Sequence, residues 1–549
     1  MNDTISSTIG QIYVAAKEGI QDKRAECDQY TCFIPVWDQN KKGENVIKEI
    51  SVVDYVEFIR ILRWLGFRRY DVGNGYNLVR IVNNVVEIVE MRNIIDTFIE
   101  HIKAMPADHF LSEAQNKVLN KIIGSLANLF SKEKLQLLYD PSEKFIFNTD
   151  TEKEAFFYFQ NGFITVTAKG LHFAPYRKLP TYKRYHNGDV EDVPKVIWKS
   201  QILQHDFKLI PSDAYKKHDW YLFLQNVSQK ETPERLTNLM QLLGYIMHAY
   251  MDKKRKAFIL TDSSVGINAE GRSGKTLLGK AVQFFLNADK YSQIAAEMNG
   301  KDFKHDNPFK YQMLDVNTRV VILNDVKRNF KMEGLFNDIT EGLERQRKTE
   351  LPVKVYAKFM IPTNQTIELP SGSAKDRAIE FELSNHYSAA WQPMDDFKRY
   401  FFTDWEASDW QTFHNIMLEC VCVFLEKGLP TIVKSINLEK RKLLDETSQD
   451  FIDFMTMKFL EGEETNRITL IPFEDKEWRK NHAGQDSKAL FEEFCTFAGE
   501  VSNKGLSLKF ATYLKKYVLY SDFITKMEDP RSNSIKKYYF FANEIKEKL

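Results

Sequence analysis

The stretch Ala269-Glu-Gly-Arg-Ser-Gly-Lys-Thr276 follows a short apolar run and precedes an apolar helical pattern. It matches the phosphate-binding pattern Gly-x-x-x-x-Gly-Lys-Ser/Thr, except that Ala269 stands where the first glycine belongs. In such a loop, backbone N–H groups point at a bound phosphate, and the N-terminus of the following helix adds its positive end. Gly271 and Gly274 let the backbone approach closely because neither carries a Cβ atom. The stretch therefore predicts a nucleotide-binding loop.

The side chains of this loop have expected roles. Lys275 reaches the β- and γ-phosphates of ATP, and the Thr276 hydroxyl ligates Mg²⁺. The rest of the predicted phosphate site is Gly271, Arg272, Ser273 and Gly274. The alternative is a helix-initiating loop that contains Gly-Lys-Thr by chance. The strand pattern before the loop and the apolar helix pattern after it favour the nucleotide site.

Short apolar runs bounded by polar loops alternate with helical patterns around the loop. Runs of this kind are typical of buried parallel strands. The four runs are residues 257–260, 319–323, 359–362 and 378–381. They predict an α/β domain with a parallel sheet.

Polar residues flank three of these runs. Asn324 and Asp325 end an apolar run, where a carboxylate can hold Mg²⁺ or polarise the attacking water. Asn364 follows the next run and is a candidate for orienting water against the γ-phosphate. Arg377 precedes the last run and is a candidate arginine finger. Taken alone, each has an ordinary alternative: a strand-terminal turn for the first three and a surface charge for Arg377.

The order and compactness of these elements resemble the motif series of superfamily 3 helicases. The resemblance is closest to the phage, plasmid and mobile-element branch that is related to poxvirus primase-helicases. The motifs that carry it are Gly-Arg-Ser-Gly-Lys-Thr276, Val-Val-Ile-Leu-Asn-Asp325, Ile339-Thr-Glu-Gly342, Ile-Pro-Thr-Asn364 and Asp376-Arg377. It covers residues 235–430 well, and residues 157–167 and 537–541 resemble the flanking domains of that branch.

The resemblance implies an AAA+-like P-loop ATPase core and a homo-hexameric ring. It also implies ATP hydrolysis between subunits and 3′-to-5′ movement on single-stranded DNA. By position, Lys275 and Thr276 take the phosphate and Mg²⁺ roles, Asp325 is the acidic strand-end residue, and Asn364 is the sensor. Arg377 is the finger that reaches the neighbouring subunit's ATP.

Between Asp325 and Asn364 the family places a basic hairpin that grips DNA. The corresponding basic residues here are Arg345, Arg347 and Lys348, of which Lys348 aligns best. The alternative is a solvated, charged hairpin. This sequence departs from the family by a somewhat shorter hairpin segment. It departs again by Asn324, which removes one negative charge near Mg²⁺ because Asn can ligate the ion only through its carbonyl. Slow hydrolysis is therefore expected.

The bulk composition restricts the class of protein. The chain has 549 residues with 76 basic and 76 acidic side chains, so any DNA contact must come from local patches. Its five cysteines are scattered and suggest neither zinc nor disulfides. The first residues lack an apolar signal core, and no apolar run approaches the ~18 residues of a membrane span. We expect a cytoplasmic protein, in a bacterial host if a phage or mobile element encodes it, with no membrane partner.

The element pattern suggests four domains. Residues 1–105 are predicted as an α+β domain of unassigned role, and residues 106–230 as a helical and β domain. Residues 231–440 hold the predicted ATPase core with a helical extension. In residues 450–549 two helices precede two paired strands, an order that predicts a winged helix.

Local signals within these domains predict particular elements. Residues 52–67 and 112–138 have helical patterns, and residues 391–440 are also predicted as helical. A hairpin is expected to turn at Asn83-Asn84, because Asn tolerates positive φ. A second hairpin is expected at Asn161-Gly162, between two β-rich runs.

These observations predict a DNA-dependent ATPase and replicative helicase of a phage or mobile element. Its expected partners are single-stranded DNA and further copies of the chain, with duplex or origin DNA and a separate primase or polymerase as additional candidates. A second hypothesis is an ATP-regulated DNA-binding initiator or scaffold without processive unwinding. A primase within residues 1–105 is disfavoured because no Asp-x-Asp plus His pairing suited to two-metal polymerisation is present there.

Overall fold

A computed structural model of the chain describes residues 32–542, except 73–74, 140–144, 187–188, 253–254, 265–271, 329, 349, 370–371, 432, 434, 462–466, 473–474, 522 and 533–534. Ala269 and Gly271 of the predicted loop therefore lie outside the described residues. Within the part of the chain that is described, no helix combines the length and the hydrophobicity needed to cross a membrane.

The first unit is an α+β assembly. Its strands are β1 (Phe33–Gln39), β2 (Asn45–Val53), β3 (Phe67–Val72), β4 (Gly75–Val82) and β5 (Val85–Ile88). Its helices are α1 (Tyr55–Trp64), α2 (Met91–Lys103), α3 (Gln115–Gly124), α4 (Leu126–Leu129) and α5 (Lys132–Leu135). The hairpin predicted at Asn83-Asn84 is confirmed, since both residues have positive φ, 52° and 65°, and β4 and β5 pair on either side of them.

The predicted helix at residues 52–67 is too long at both ends. Asp54 caps α1, because its carboxylate accepts hydrogen bonds from the backbone N–H groups of Val56 and Glu57. Residues 52–53 pair with β1 instead, and Phe67 begins β3. The helical pattern of residues 112–138 is likewise broken into α3, α4 and α5.

The core of this unit extends past the predicted boundary at residue 105. Buried side chains from Cys32 to Leu138 form one hydrophobic cluster, which joins β1, β2 and α1 to the helices of residues 112–138. The packing therefore does not separate two cores at residue 105. The division of the chain into domains stays a prediction.

A second group of strands follows, built mainly from antiparallel hairpins but including two short strands that pair in parallel, one with β5 and one with the first strand of the group. Its strands are β6 (Glu154–Phe159), β7 (Gly162–Thr167), β8 (Gly170–Ala174), β9 (Thr181–His186), β10 (Asp189–Pro194), β11 (Ile197–Trp198) and β12 (Ile202–Leu203). The second predicted hairpin is present, but Gly162 already pairs with Phe159, so its turn lies one residue earlier than expected. A Cβ atom on Gly162 would lie 2.5 Å from the carbonyl oxygen of Ala174, which explains the need for glycine.

Three helices then lead to a parallel sheet. They are α6 (Ser212–Tyr215), α7 (Asp219–Val227) and α8 (Pro233–Met247). The sheet region contains β13 (Ala257–Asp262), α9 (Lys275–Leu286), β14 (Ala295–Asn299), β15 (Val320–Asn324), α10 (Phe336–Glu341), β16 (Leu343–Arg347), β17 (Glu350–Val355), β18 (Lys358–Pro362), α11 (Gly372–Asp376) and β19 (Ala378–Leu383).

The four strands predicted for this sheet are confirmed as parallel neighbours. The strand order is β14-β15-β18-β13-β19. Both faces are buried: Phe258 and Leu260 face one hydrophobic cluster, and Ala257 and Ile259 face another. Burial on both faces explains why the strands are continuous apolar runs. The edge strand β14 escaped the sequence analysis because its apolar run is short.

The segment after the sheet is less helical than predicted. Between residues 391 and 406 the only regular α-helix in the described chain is the short α12 (Pro393–Phe397), and the long α13 (Ala407–Lys427) follows. The aromatic side chains of this stretch, such as Phe401 and Trp405, are buried in the same cluster as Trp220 and α13. These aromatic residues are frequent in this stretch because they fill the hydrophobic core, and not because the stretch forms one helix.

The C-terminal part has its own core. The connecting helix α14 (Leu438–Glu446) precedes a C-terminal unit that we define as residues 449–542. This unit contains α15 (Gln449–Thr456), α16 (Trp478–Asn481), β20 (Gln485–Asp486), α17 (Ser487–Ala498), α18 (Lys504–Tyr520), β21 (Ile524–Glu528), β22 (Arg531–Ser532) and β23 (Ile535–Ala542). The predicted order of two helices and a pair of strands is confirmed, and the winged-helix assignment stays a prediction.

Candidate functional site

A cavity of about 390 Å³ opens at the carboxyl ends of the parallel strands. Strand β18 lies between β13 and β15, so the residues that follow these three strands converge at one edge of the sheet. The residues that line the cavity are Arg272, Gly274, Lys275, Thr276, Leu277, Asn324, Asp325, Pro362, Thr363, Asn364, Gln392 and Pro393. The structure therefore brings together the predicted loop, the predicted acidic strand end and the predicted sensor.

The lysine of the predicted phosphate loop is held by an acid that the sequence analysis did not single out. Lys275 is 7% exposed, and its ammonium donates to the carboxylate of Asp262, which is 2% exposed at the end of β13. Ser273 donates its hydroxyl to the same carboxylate oxygen and lies 3.2 Å from the Lys275 ammonium. Burial lowers the pKa of Lys275, and the charge of Asp262 opposes that shift.

Gly274 is required by two features of the loop. Its φ is +103°, and a Cβ atom there would lie 2.7 Å from the ring of Phe223. As the residue that caps α9, glycine offers no side chain to the first N–H groups of the helix. The first residues of α9 line the cavity, so these donors are available to a phosphate there.

The acidic strand end is also paired. Asp325 has a positive φ of 57°, and its carboxylate forms an ion pair of 2.5 Å with the ammonium of Lys301. The hydrogen bond to Asp325 raises the pKa of Lys301. Asn324 donates its side-chain amide to Glu297 at 3.0 Å. An ion at this edge would therefore compete with Lys301 for the Asp325 carboxylate.

The predicted sensor faces the same cavity. Asn364 follows β18, and its side-chain oxygen is buried without a hydrogen-bond partner in the described structure. Its backbone carbonyl accepts a hydrogen bond of 2.9 Å from Arg441 on α14. The backbone of Asn364 is thus tied down while its side-chain acceptor is not engaged.

The lining residues fit a Mg²⁺ ion. Thr276, Asn324 and Asp325 supply a hydroxyl, an amide carbonyl and a carboxylate, and Mg²⁺ prefers oxygen ligands of this kind. Only Asp325 carries a full negative charge among the three. The set resembles sites in which the ion keeps several waters and shares its coordination with substrate phosphates.

Arg377 lies at the opposite edge of the sheet. Arg377 precedes β19, and the first residue of β19 pairs with the first residue of β13. It therefore lies at the amino ends of the strands, about 17 Å from the carboxyl ends that form the cavity. Its guanidinium donates to the Ser373 hydroxyl and stacks over the Phe336 ring at 5.0 Å. It is therefore not part of the cavity of its own chain.

The predicted basic cluster on the hairpin β16–β17 is divided by burial. Arg345 is 4% exposed and donates to the carbonyl of Leu314, so its side chain points into the protein, and its role as a DNA contact stays a prediction. Arg347 is half-buried, bonds the Gln312 carbonyl at 2.9 Å, and contributes to packing. Lys348 is exposed at the end of β16. Successive side chains of a strand point to opposite faces, and Arg345 lies on the face that is turned inward. The residue type alone does not show which face this is.

Three residues of the site region were missed from the sequence. Asp262 ends an apolar strand, which is the same signal that identified Asp325. Lys301 follows the short edge strand and had no distinguishing pattern. Arg441 lies on α14, far along the chain, and only the fold brings it to the cavity edge.

Comparison with known proteins adds little to this geometry. No protein-family model matches the sequence, and curated proteins give no significant match. The A form apo structure of the NrS-1 C-terminal region aligns with a TM-score of 0.41 and 13% identity, covering 89% of this chain and 100% of that chain. A structure of JCV helicase with a bound thiazolopyridine compound aligns with a TM-score of 0.25 and 11% identity, covering 44% of this chain and 64% of that chain. Scores of this size carry no argument about fold or function.

Proposed function

We propose that the protein is an ATP-hydrolysing DNA helicase or translocase that acts in the replication of a phage or mobile element. One observation carries the proposal: Lys275, Thr276, Asp325 and Asn364 line a single cavity at the carboxyl edge of a parallel sheet. A phosphate needs a cation with free N–H donors, and Mg²⁺ needs oxygen ligands. An attacking water needs a polar group to orient it. The cavity offers all three.

The residues of the cavity divide the work of ATP hydrolysis. The N–H groups at the start of α9 and the Lys275 ammonium bind phosphate oxygens once Lys275 leaves Asp262. Thr276 and Asp325 would hold Mg²⁺, which would neutralise charge on the phosphates when bound. Asn364 has an unengaged side-chain oxygen that can orient the attacking water.

A ring of identical subunits, with six copies as in the family it resembles, would complete the site. Arg377 lies at the sheet edge opposite the cavity, so it can meet a nucleotide only in a neighbouring copy. Its guanidinium must then leave Ser373 and Phe336. This placement favours a finger that acts between subunits over one that acts within a subunit.

Contact with single-stranded DNA is assigned to the exposed tip of the β16–β17 hairpin, at Lys348. The hairpin lies between the acidic strand β15 and the sensor strand β18 in sequence, so movements of these strand ends can reach it. Because Lys348 offers few phosphate contacts per copy, affinity must come from repetition around a ring. Binding should be phosphate-directed and salt-sensitive. The winged helix predicted for residues 450–549 would serve duplex or origin DNA. A primase or polymerase would be a separate partner in the host cytoplasm.

The experiment that tests the proposal is ATP turnover with and without single-stranded DNA, for the wild type and Thr276→Ala. Thr276 is exposed, so its loss should not disturb folding. Turnover should rise with DNA, and Thr276→Ala should lower it by about 10- to 100-fold, the range seen when support at a metal site is lost. Thr512→Ala, on an exposed face of α18, is the matched control. Equal turnover in Thr276→Ala and wild type would remove the nucleotide-site assignment.

Asn324 favours a second candidate, a DNA-binding initiator or scaffold in which ATP drives assembly. Its neutral side chain is engaged with Glu297, and the neighbouring Asp325 is engaged with Lys301, so the charge available to Mg²⁺ is small. Such a protein would bind ATP and assemble on DNA with little turnover. Assembly with ATP but no DNA-stimulated hydrolysis and no unwinding would select this candidate.

A further inference from the structure

Helix α14 contacts the strand ends beside the cavity at one end and the C-terminal unit at the other. Just before the helix, the backbone N–H groups of Ile436 and Asn437 donate to the Glu382 carboxylate on β19, at 2.5 and 2.8 Å. The Asn437 side chain donates to the carbonyl of Ser263, the residue after β13, at 2.9 Å. The start of α14 is thus bound to the carboxyl ends of two parallel strands.

Arg441 binds the end of β13 a second time and adds the end of β18. It is 5% exposed, and its guanidinium donates to the carbonyl of Asp262 and, at 2.9 Å, to the carbonyl of Asn364. Asp262 holds the P-loop lysine, and Asn364 is the candidate sensor. Because a guanidinium is planar and rigid, one side chain sets the spacing between these two backbone positions. Arg441 does not line the cavity, so it acts through these residues rather than on a ligand.

The other end of α14 is bound to the long helix α18. The Glu446 carboxylate accepts from the Tyr520 hydroxyl at 2.5 Å and pairs with the Lys516 ammonium. Leu443 is buried in the hydrophobic cluster of the C-terminal unit, together with Tyr517. Arg441 and Glu446 are about 7.5 Å apart along one helix, so a displacement of one is transmitted to the other.

We propose that Arg441 is a positioning residue of the nucleotide site, and that α14 couples the state of the C-terminal unit to that site through the Glu446–Lys516–Tyr520 contact. The inference rests on the proposed ATPase function and adds a control to it. Whatever the C-terminal unit binds, a shift of α18 moves α14 and changes the spacing of the Asp262 and Asn364 carbonyls. Turnover then changes, while the groups that bind phosphate stay the same.

The decisive variants lie at the far end of α14, outside the cavity. Lys516→Ala combined with Tyr520→Phe removes both contacts to Glu446. Lys515→Ala is the matched control, because Lys515 is the exposed neighbour on the same helix. The full-length chain is used throughout, and the midpoint of thermal unfolding is measured for each variant. Arg441→Lys, which keeps the charge but loses the planar fork, is a second, direct variant.

The double variant should change kcat for ATP by about 2- to 30-fold, the span of measured long-range couplings, with KM changed less than kcat. Lys515→Ala should match the wild type in kcat and KM. Arg441→Lys should change kcat in the same direction as the double variant. Unchanged kcat in the double variant, or a loss that only follows the fraction of unfolded protein, overturns the coupling. A wild type that neither binds nor hydrolyses ATP overturns the proposed function and, with it, this inference.

Discussion

Asp262→Asn should tighten nucleotide binding, although Asp262 contacts Lys275 of the proposed nucleotide site. Without nucleotide, Lys275 donates to the Asp262 carboxylate, and it must leave this partner to reach a phosphate. Asn keeps an acceptor oxygen of the same size but removes the charge. Hydrogen bonds to a charged group contribute about 1.5–3 kcal/mol, and Lys275 stays charged in the variant, so loss of the carboxylate charge should cost about 1–1.5 kcal/mol, close to the width of that range. This difference corresponds to roughly 5- to 10-fold in the dissociation constant.

The assay is titration calorimetry with a slowly hydrolysed ATP analogue and Mg²⁺, together with thermal unfolding of the nucleotide-free proteins. Asp262→Asn should bind more tightly and unfold at a lower temperature, because the buried lysine loses its charged partner. Asp306→Asn is the control, since Asp306 is an exposed acid outside the cavity. Weaker or unchanged binding by Asp262→Asn would refute the idea that Asp262 competes with phosphate for Lys275.

Three further outcomes are expected. Lys348→Ala should weaken single-strand binding and reduce its salt slope by about one, whereas Arg345→Ala should chiefly lower the unfolding temperature because Arg345 is buried. Mixing Arg377→Ala with Lys275→Ala subunits should restore part of the ATPase activity that each variant lacks, and full turnover by Arg377→Ala alone would exclude the finger. Burial lowers the pKa of Lys358 to about 7. Between pH 7 and 9 this lysine is therefore protonated in the unfolded chain but largely neutral in the folded one, so the free energy of unfolding should rise with pH. That contribution is about 1.4 kcal/mol per pH unit at most. Urea denaturation at several pH values should show it in the wild type and not in Lys358→Met.

Local patterns in the sequence were sufficient for the sheet and for the main part of the cavity. Continuous apolar runs identified four of the five parallel strands, because both faces of that sheet are buried. The Asn83-Asn84 turn was predictable because it depends on the φ preference of two adjacent residues. Lys275, Thr276, Asp325 and Asn364 could be found because each lies at a strand or helix end, and parallel strands end at one edge of the sheet.

What only the tertiary structure decided concerns contacts between distant parts of the chain. The sequence marked Arg345 as a basic residue of a hairpin, but packing turned it inward to the Leu314 carbonyl. It also marked Lys275 as a phosphate ligand, but its present partner, Asp262, is set by the fold, which brings the start of α9 to the end of β13. Arg441 joins two strand ends that no spacing in the sequence relates to α14. The physical reason is that propensity and periodicity act over a few residues, whereas the partner of a buried charge is chosen by whichever group the completed fold brings within hydrogen-bond distance.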